Sequence, residues 1–360
     1  MKVALVSDCY PPRLGGMETQ VHGLAAALLA AGHQVEVFTI TPGTADGAVP
    51  VHRLGLRREL PGGLLINPAA RRTLREALRH NGFDVVHAHL GVLSPFAFDG
   101  VRTALAGRIP VAATWHSVTG RSEPVMRALG HTARWARHGV ALSAVSRVAA
   151  APLERVAGAP VGVVPNGIDT SFWSVADDPA QGDGLHVVSA MRFAARKRPA
   201  QLLAVVHRAR QRSGKDIRLT IAGDGPLWQR LAARRPPWCT LPGRLDPPAL
   251  RELYRSAQVY AAPAVLEAFG IAAAEARCCG LPVVTRAESA VCDLMEQDRT
   301  GLVVQDDEGF GAALARLATD RVLREALSAY SRAQRPQLDW PDVVQTVLAE
   351  YRRAGAHDSR

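Results

Sequence analysis

Short apolar runs alternate with amphipathic stretches along this chain from its first residues. KVALVS leads into VHGLAAALLAAG, QVEVFTI follows, RRTLREALRH leads into DVVHAH, and PVAATWH, ALSAVS and VGVVPNG come after. Such aliphatic and β-branched runs have no polar face, so they predict strands buried on both sides, with the helical stretches between them as cover. That arrangement is a parallel sheet wrapped by helices. The pattern breaks at DTSFWSVADDPAQGDGL (residues 169–185), which is polar and rich in Gly, Pro and Asp and reads as an interdomain linker. It then restarts with HVVSAM, a helix from about Pro199 to Arg212, IRLTIAGDG, VYAAP, EAFGIAAAEARCCG and LPVVT. The expected fold class is α/β: two Rossmann-like domains, residues 1–172 and 173–340, facing across a cleft that holds the ligand.

Composition agrees with this and narrows the function. A chain of 360 residues with 48% apolar and 21% charged residues suits two globular domains without long disordered arms. It is basic, with 43 Lys+Arg against 33 Asp+Glu, and part of the excess is local. Arg53, Arg57, Arg58, Arg71, Arg72, Arg75 and Arg79 stand against only Glu59 and Glu76 in that stretch, which suits phosphate on a lipid, a nucleotide or a nucleic acid. Aromatic residues are only 5% and do not interleave with the basic ones, so no nucleic-acid partner is expected. Cys9, Cys239, Cys278, Cys279 and Cys292 show no C-x-x-C spacing and predict reduced thiols in a cytoplasm. The start MKVALVSDCYPP is too poor in apolar residues for a signal peptide, and no run reaches the roughly 18 apolar residues of a membrane span.

Candidate chemistry falls at the ends of the strand runs. The loop DCYPPRLGG opens a helix whose buried stripe is predicted as Val21, Leu24, Ala25, Leu28 and Leu29, and Gly15 and Gly16 let backbone amides approach an anion at its start. His87 and His89 point to one side of a strand; with no carboxylate or further histidine nearby in sequence, cleft lining or hydrogen-bonded packing is preferred to a metal pair. His116 ends another strand. Arg192 and Lys197 follow a strand in MRFAARK; Lys197, one of only three lysines in the chain, reads by itself as a solvated loop charge, with a phosphate contact by a compact ammonium as the functional alternative.

EAFGIAAAE sets Glu267 and Glu275 in a small, apolar stretch. A glycosidase pair flanks one bond at roughly 5 to 9.5 Å. Eight residues of helix rise about 12 Å, too far for such a pair. The pattern instead places Glu267 in a loop, the helix start near Phe269–Gly270, and Glu275 more than a turn inside. The free amides of that start suit a diphosphate, with a hydroxyl-rich group at each end. A nucleotide sugar has this layout.

EAFGIAAAEARCCGLPVV closely resembles the E-(seven residues)-E signature of retaining family 4 glycosyltransferases, which have the GT-B fold of two Rossmann domains. PPRLGGMETQ, TWHS, AVS, PNGID, MRFAARK, AGDGP and DRTGLVV occur in that family's order over nearly the whole chain. The resemblance implies that Gly16, with Gly15, meets the donor phosphate and that His116 lies beside the donor sugar. It implies that Arg192 and Lys197 bind the diphosphate, Glu267 the sugar hydroxyls, Glu275 the ribose, and the Gly270–Ile271 helix start the phosphates. Retention then needs no protein nucleophile, because the departing diphosphate helps take the acceptor's proton. No D-x-D motif is present, so no metal and no cofactor is expected, the nucleotide-diphosphate sugar being the donor substrate. The terminal PDVVQTVLAEYRRAG is expected to cross back, so that 341–360 joins the first domain. Three departures stand out: Met191 and Arg198 where the family has glycine, and Glu288-Ser-Ala-Val-Cys-Asp293 where it has Gly-Gly-x-x-Glu.

RRTLREALRH sets Arg71, Arg75 and Arg79 at helical spacing, with Arg72 nearby and Leu74 and Leu78 on another face. This is either a solvated helix face or a basic amphipathic helix that docks on anionic membrane, and here the chain resembles the phosphatidylinositol mannosyltransferases. The expectation is a lipid-linked acceptor and peripheral contact with the inner membrane face. The alternatives are a soluble acceptor, such as a secondary-metabolite aglycone or an inositol, and a noncatalytic nucleotide-sugar sensor.

Overall fold

The structure is a computed structural model that describes residues 1–44, 47–55, 67–174 and 184–357, apart from the side chains of Pro68 and Arg121. Arg57, Arg58 and Glu59, with parts of the 41–66 loop and of the 169–185 linker, lie outside the described residues. The chain forms two compact units, Met1–Gly167 with Leu338–Arg360, and Ile168–Gln337.

The first unit holds β1 (Lys2–Ser7), β2 (Gln34–Thr39), β3 (Val51–Arg53), β4 (Val85–Leu90), β5 (Val111–Trp115), β6 (Ala141–Ala144) and β7 (Gly162–Val163). They form one parallel sheet in the order β3-β2-β1-β4-β5-β6-β7. The second unit holds β8 (Leu185–Ala190), β9 (Ile217–Ala222), β10 (Cys239–Gly243), β11 (Val259–Ala262), β12 (Val283–Arg286) and β13 (Gly301–Val304), parallel in the order β10-β9-β8-β11-β12-β13. In both sheets the order reverses beside the first strand, between β1 and β4 and between β8 and β11. Open α/β sheets bind ligands at the strand carboxyl ends beside such a reversal.

Every residue of β4, β5, β11 and β12 is buried, as strands covered on both faces require. In the first unit the core joins β1, β2 and the Gly16–Ala30 helix to Val343, Val344, Val347, Leu348 and Tyr351 of the C-terminal helix Trp340–Arg353. Each such side chain contributes roughly 1.5–3 kcal/mol when fully buried. Trp340 packs so closely on Gly23 and Gly167 that a Cβ on either would collide with its ring. The Gln20 side-chain amide donates to Gly167 O at 2.8 Å, pinning the end of the unit's first segment to the Gly16–Ala30 helix. That helix buries Glu18 and Gln20 beside Val21, Leu24, Ala25 and Leu28, while Leu29, expected in the stripe, is exposed.

Candidate functional site

At the reversal in the second sheet, two loops meet. One follows β8 and carries Arg192 and Lys197; the other follows β11 and carries Glu267. The Lys197 ammonium donates to the Glu267 carboxylate, and both side chains are mostly buried. Arg192, two residues past β8, is exposed. Ala290 N donates to Glu267 O at 3.2 Å and fixes that loop's backbone.

The helix Ile271–Cys278 begins just beyond Glu267. Gly270 precedes it at φ 93°, where Val291 leaves no room for a Cβ, so a glycine is needed on both counts. No side chain caps this start, and its first amides keep their capacity for an anion. Glu275 lies one turn further on, half-buried, and among the described residues its carboxyl group has no hydrogen-bonding or ion-pairing partner. Burial alone raises its carboxyl to about 8. Tyr254, Tyr260 and Cys279, which feel its charge, are themselves pushed up by burial, and the Tyr254 hydroxyl is buried without a partner. A carboxyl group held in this way suits ligand hydroxyls.

The three departures from the family pattern have structural reasons. Met191 packs against the second unit's core. Glu288 accepts from Arg286 at 2.9 Å, and Ser289 caps the short turn Ala290–Leu294 that supplies Val291. Arg198 sits at φ 62° and ψ 41°, a conformation that costs a side-chain-bearing residue about 1–2 kcal/mol. Its guanidinium forks onto Asp307 at 2.9 and 2.7 Å. Burial pushes the Asp307 carboxyl up, but Arg198 and Arg286 together hold it below its ordinary value. Residue chemistry had pointed to Lys197; Arg198 was visible only as an anomaly, and Asp307 and Arg286 carried no signal.

The first sheet's reversal is furnished differently. Asp8, just past β1, accepts from Phe96 N at 3.0 Å and Ala97 N at 2.9 Å, and so caps the Pro95–Ala106 helix that follows β4. Burial raises its carboxyl to about 6 against the pull of those two amides. The Gly16–Ala30 helix start, expected to face phosphate, is overhung by its own Glu18: a Cβ on Gly15 would strike that carboxylate. Arg13 pairs with Glu18 at 3.2 Å. A phosphate reaching Gly15 and Gly16 shares the place with Glu18.

His116 follows β5 and bonds His89 (Nε2 to Nδ1, 3.0 Å), while Asn166 of the PNGID segment supports its ring. His87 bonds the Tyr351 hydroxyl at 3.0 Å and Thr114 at 2.8 Å, and Thr114 bonds Ser143 at 2.7 Å. His87 is therefore hydrogen-bonded packing that ties the C-terminal helix to the sheet. Burial lowers His87 to about 3 and His116 to about 4, and His89 falls as well, so all three rings are neutral at neutral pH. Among the described residues no group of three or more His, Cys, Asp or Glu could hold a metal.

The predicted basic stretch forms the helix Pro68–His80, seated on Ala70, Leu74 and Leu78. Arg72, Arg75 and Arg79 are exposed, Arg72 pairing with Glu76 at 2.9 Å. Arg71 turns instead toward Asp99 of the neighbouring helix, at 3.5 Å. No helix among the described residues is long and apolar enough to cross a membrane.

Comparison with known proteins identifies the family and the fold. Residues 14–172 match the model of Glycosyltransferase Family 4, and residues 176–334 match that of Glycosyl transferases group 1. The phosphatidyl-myo-inositol mannosyltransferase of Mycobacterium tuberculosis is 29% identical over 94% of this chain and 93% of its own. The D-inositol 3-phosphate glycosyltransferase of Xylanimonas cellulosilytica is also 29% identical, over 94% and 92%. Among solved structures, Anabaena HepE in complex with UDP and glucose superposes with a TM-score of 0.74 at 16% identity, covering 97% of this chain and 98% of that one. Sucrose-phosphate synthase from Thermosynechococcus elongatus gives 0.73 at 20% identity, covering 99% of both.

Proposed function

Because the chain belongs to the family 4 glycosyltransferases and has their GT-B pair of parallel-sheet Rossmann-like units, we propose that it is a retaining hexosyltransferase using a nucleotide-diphosphate sugar, GDP-mannose or a UDP-sugar, and a lipid-linked hydroxyl acceptor. One observation carries the donor half: Glu267, held by Lys197 from the neighbouring loop, the uncapped start at Gly270–Ile271 and the unpartnered Glu275 follow one another from the loop after β11 into its helix. In that order they match a sugar, a diphosphate and a ribose. The acceptor oxygen attacks the anomeric carbon on the face the diphosphate leaves; the carbon–oxygen bond to the diphosphate breaks, and its oxygen takes the acceptor's proton. Arg192, Lys197 and the helix start stabilise the negative charge as it develops. These groups supply the charge without a metal, so transfer survives EDTA. A loss restored by Mg²⁺ or Mn²⁺ overturns that part.

The lipid half draws on Leu14, Val92, Leu93, Val125 and Leu129, all exposed on segments that follow the carboxyl ends of β1, β4 and β5. Exposed apolar side chains here, with Arg72, Arg75 and Arg79 on the same unit, suit an anionic membrane surface and a peripheral location on its inner face. The relative named for D-inositol 3-phosphate favours a second reading, a soluble acceptor. Co-sedimentation with anionic vesicles separates the two: binding that falls when Arg72, Arg75 and Arg79 become Ser supports the lipid, and no binding removes it. For the donor, a thermal-shift series of UDP-, GDP-, ADP- and dTDP-sugars must yield one that raises the melting temperature. Transfer lost in Glu267→Ala separates an enzyme from a sensor.

A further inference from the structure

The residue after Lys197 occupies a backbone position that glycine fills without strain. Arg198 has φ 62° there and also precedes Pro199, which disfavours the α regions further. Such strain persists only where the surroundings fix it. Two segments do so. The Arg198 guanidinium forks onto Asp307, at the start of the Asp307–Thr319 helix, and also donates to Pro263 O at 3.3 Å, at the head of the loop that carries Glu267.

Neutralising Asp307 does not require this residue, because Arg286 already donates to the same carboxylate at 2.9 Å and to Gln305 O at 2.6 Å. What Arg198 adds is a second tie from the Lys197 loop to the Glu267 loop, through Pro263 O, beside the Lys197–Glu267 pair. We propose that Arg198 is a positioning residue for transfer: its guanidinium straps these two loops together across the reversal between β8 and β11. The Lys197 ammonium is then held where the diphosphate departs. This rests on the donor-site reading above. Lysine cannot replace it, since a single ammonium cannot fork onto a carboxylate and reach a second carbonyl at once.

The test uses the full chain as Arg198→Gly, Arg198→Lys, Asp307→Asn and Lys197→Ala. It reads kcat and KM for the donor sugar, the Kd of the free nucleoside diphosphate, the melting temperature, and hydrogen exchange in residues 192–198 and 263–270. Arg198→Gly relieves the backbone and removes the strap: kcat falls roughly 10- to 100-fold, nucleotide Kd holds within about twofold, and exchange quickens in both loops. Arg198→Lys recovers only part of kcat. Asp307→Asn loosens the fork without touching the strained backbone and reproduces the loss in weaker form, so the proposal stays testable if Arg198→Gly folds poorly. Wild-type kcat with unchanged exchange at 263–270 overturns it. So does a loss spread equally over kcat, Kd and exchange throughout the unit, the mark of a merely structural role. If Lys197→Ala keeps wild-type turnover, the donor-site reading fails, while exchange at 263–270 still decides the strap.

Discussion

The two sheets reverse their strand order at the same place, and in each the strand across the reversal from the first feeds a helix. In the first unit that helix, Pro95–Ala106, starts against Asp8, whose carboxylate takes its second and third amides. In the second unit the equivalent helix, Ile271–Cys278, starts without a side-chain cap, behind a glycine at positive φ. One start is satisfied from within the chain and the other is left for a ligand. The neighbouring side chains follow suit: neutral, mutually bonded imidazoles in the first unit, a buried ion pair and an unpartnered carboxylate in the second. The same topology thus yields a packed scaffold in one copy and a charged site in the other, and the difference lies in a handful of side chains.

The largest effect that sharpens this contrast is expected at Lys197. Lys197→Ala removes the charge that faces the leaving diphosphate and strands Glu267, and steady-state assays should show turnover down about 10²- to 10³-fold. The melting temperature falls as well, because the mostly buried Glu267 is left without its partner. A comparable loss from a conservative change at His87, which touches Tyr351 and Thr114 and lies inside the sheet, would erase the distinction between the units.

Glu275→Gln comes next. Burial raises Glu275 from 4.5 to about 8, so the folded empty protein keeps a proton there that the unfolded chain has lost. Stability contributed at this position therefore falls as pH rises from about 4.5 to about 8. Glu275→Gln should melt higher than wild type, by a margin that widens over that range. Two ligand hydroxyls favour the ionised form, so wild-type affinity for a nucleotide sugar should rise toward pH 8 with release of up to one proton. Titration calorimetry in buffers of different ionisation enthalpy reads that proton. In Glu275→Gln the affinity should be about tenfold weaker and flat with pH, the scale of a lost hydrogen bond to a charged group.

Much of this molecule could be read from the order of its residues, for physical reasons. Strands buried on both faces write themselves as unbroken apolar runs, so β1, β2, β4, β5, β8, β9, β11 and β12 stood out. The edge strands β3 and β10, VHR and CTLPG, did not, because an edge needs one partner and tolerates polar residues, Pro and Gly. The acids of EAFGIAAAE resolved into two separate roles because helical rise fixes their spacing. Pairings between distant positions leave no such trace. Lys197 meets Glu267 across 70 residues, Arg198 meets Asp307 across 109, and Asp8 reaches Phe96 across 88. Arg198 was visible as a break in pattern, and only its partners turned the break into a reason.

The smallest effect tests whether the first reversal is a filled version of the second. Asp8→Ala leaves the amides of Phe96 and Ala97 without their acceptor, as losing a helix cap does, and should cost about 0.5–2 kcal/mol in chemical denaturation. The pH dependence has a definite sign. Asp8 is raised from 3.8 to about 6 by burial, so its ionisation weakens folding as pH rises between those values. The deficit of Asp8→Ala is accordingly larger at pH 4.5 than at pH 7. If the two helix starts differ only in having or lacking an internal acid, removing that acid should make the first one accept an anion. Inorganic phosphate should then raise the melting temperature of Asp8→Ala by more than it raises that of wild type, and an equal gain in both would mean that the surrounding burial, and not the cap, keeps anions out.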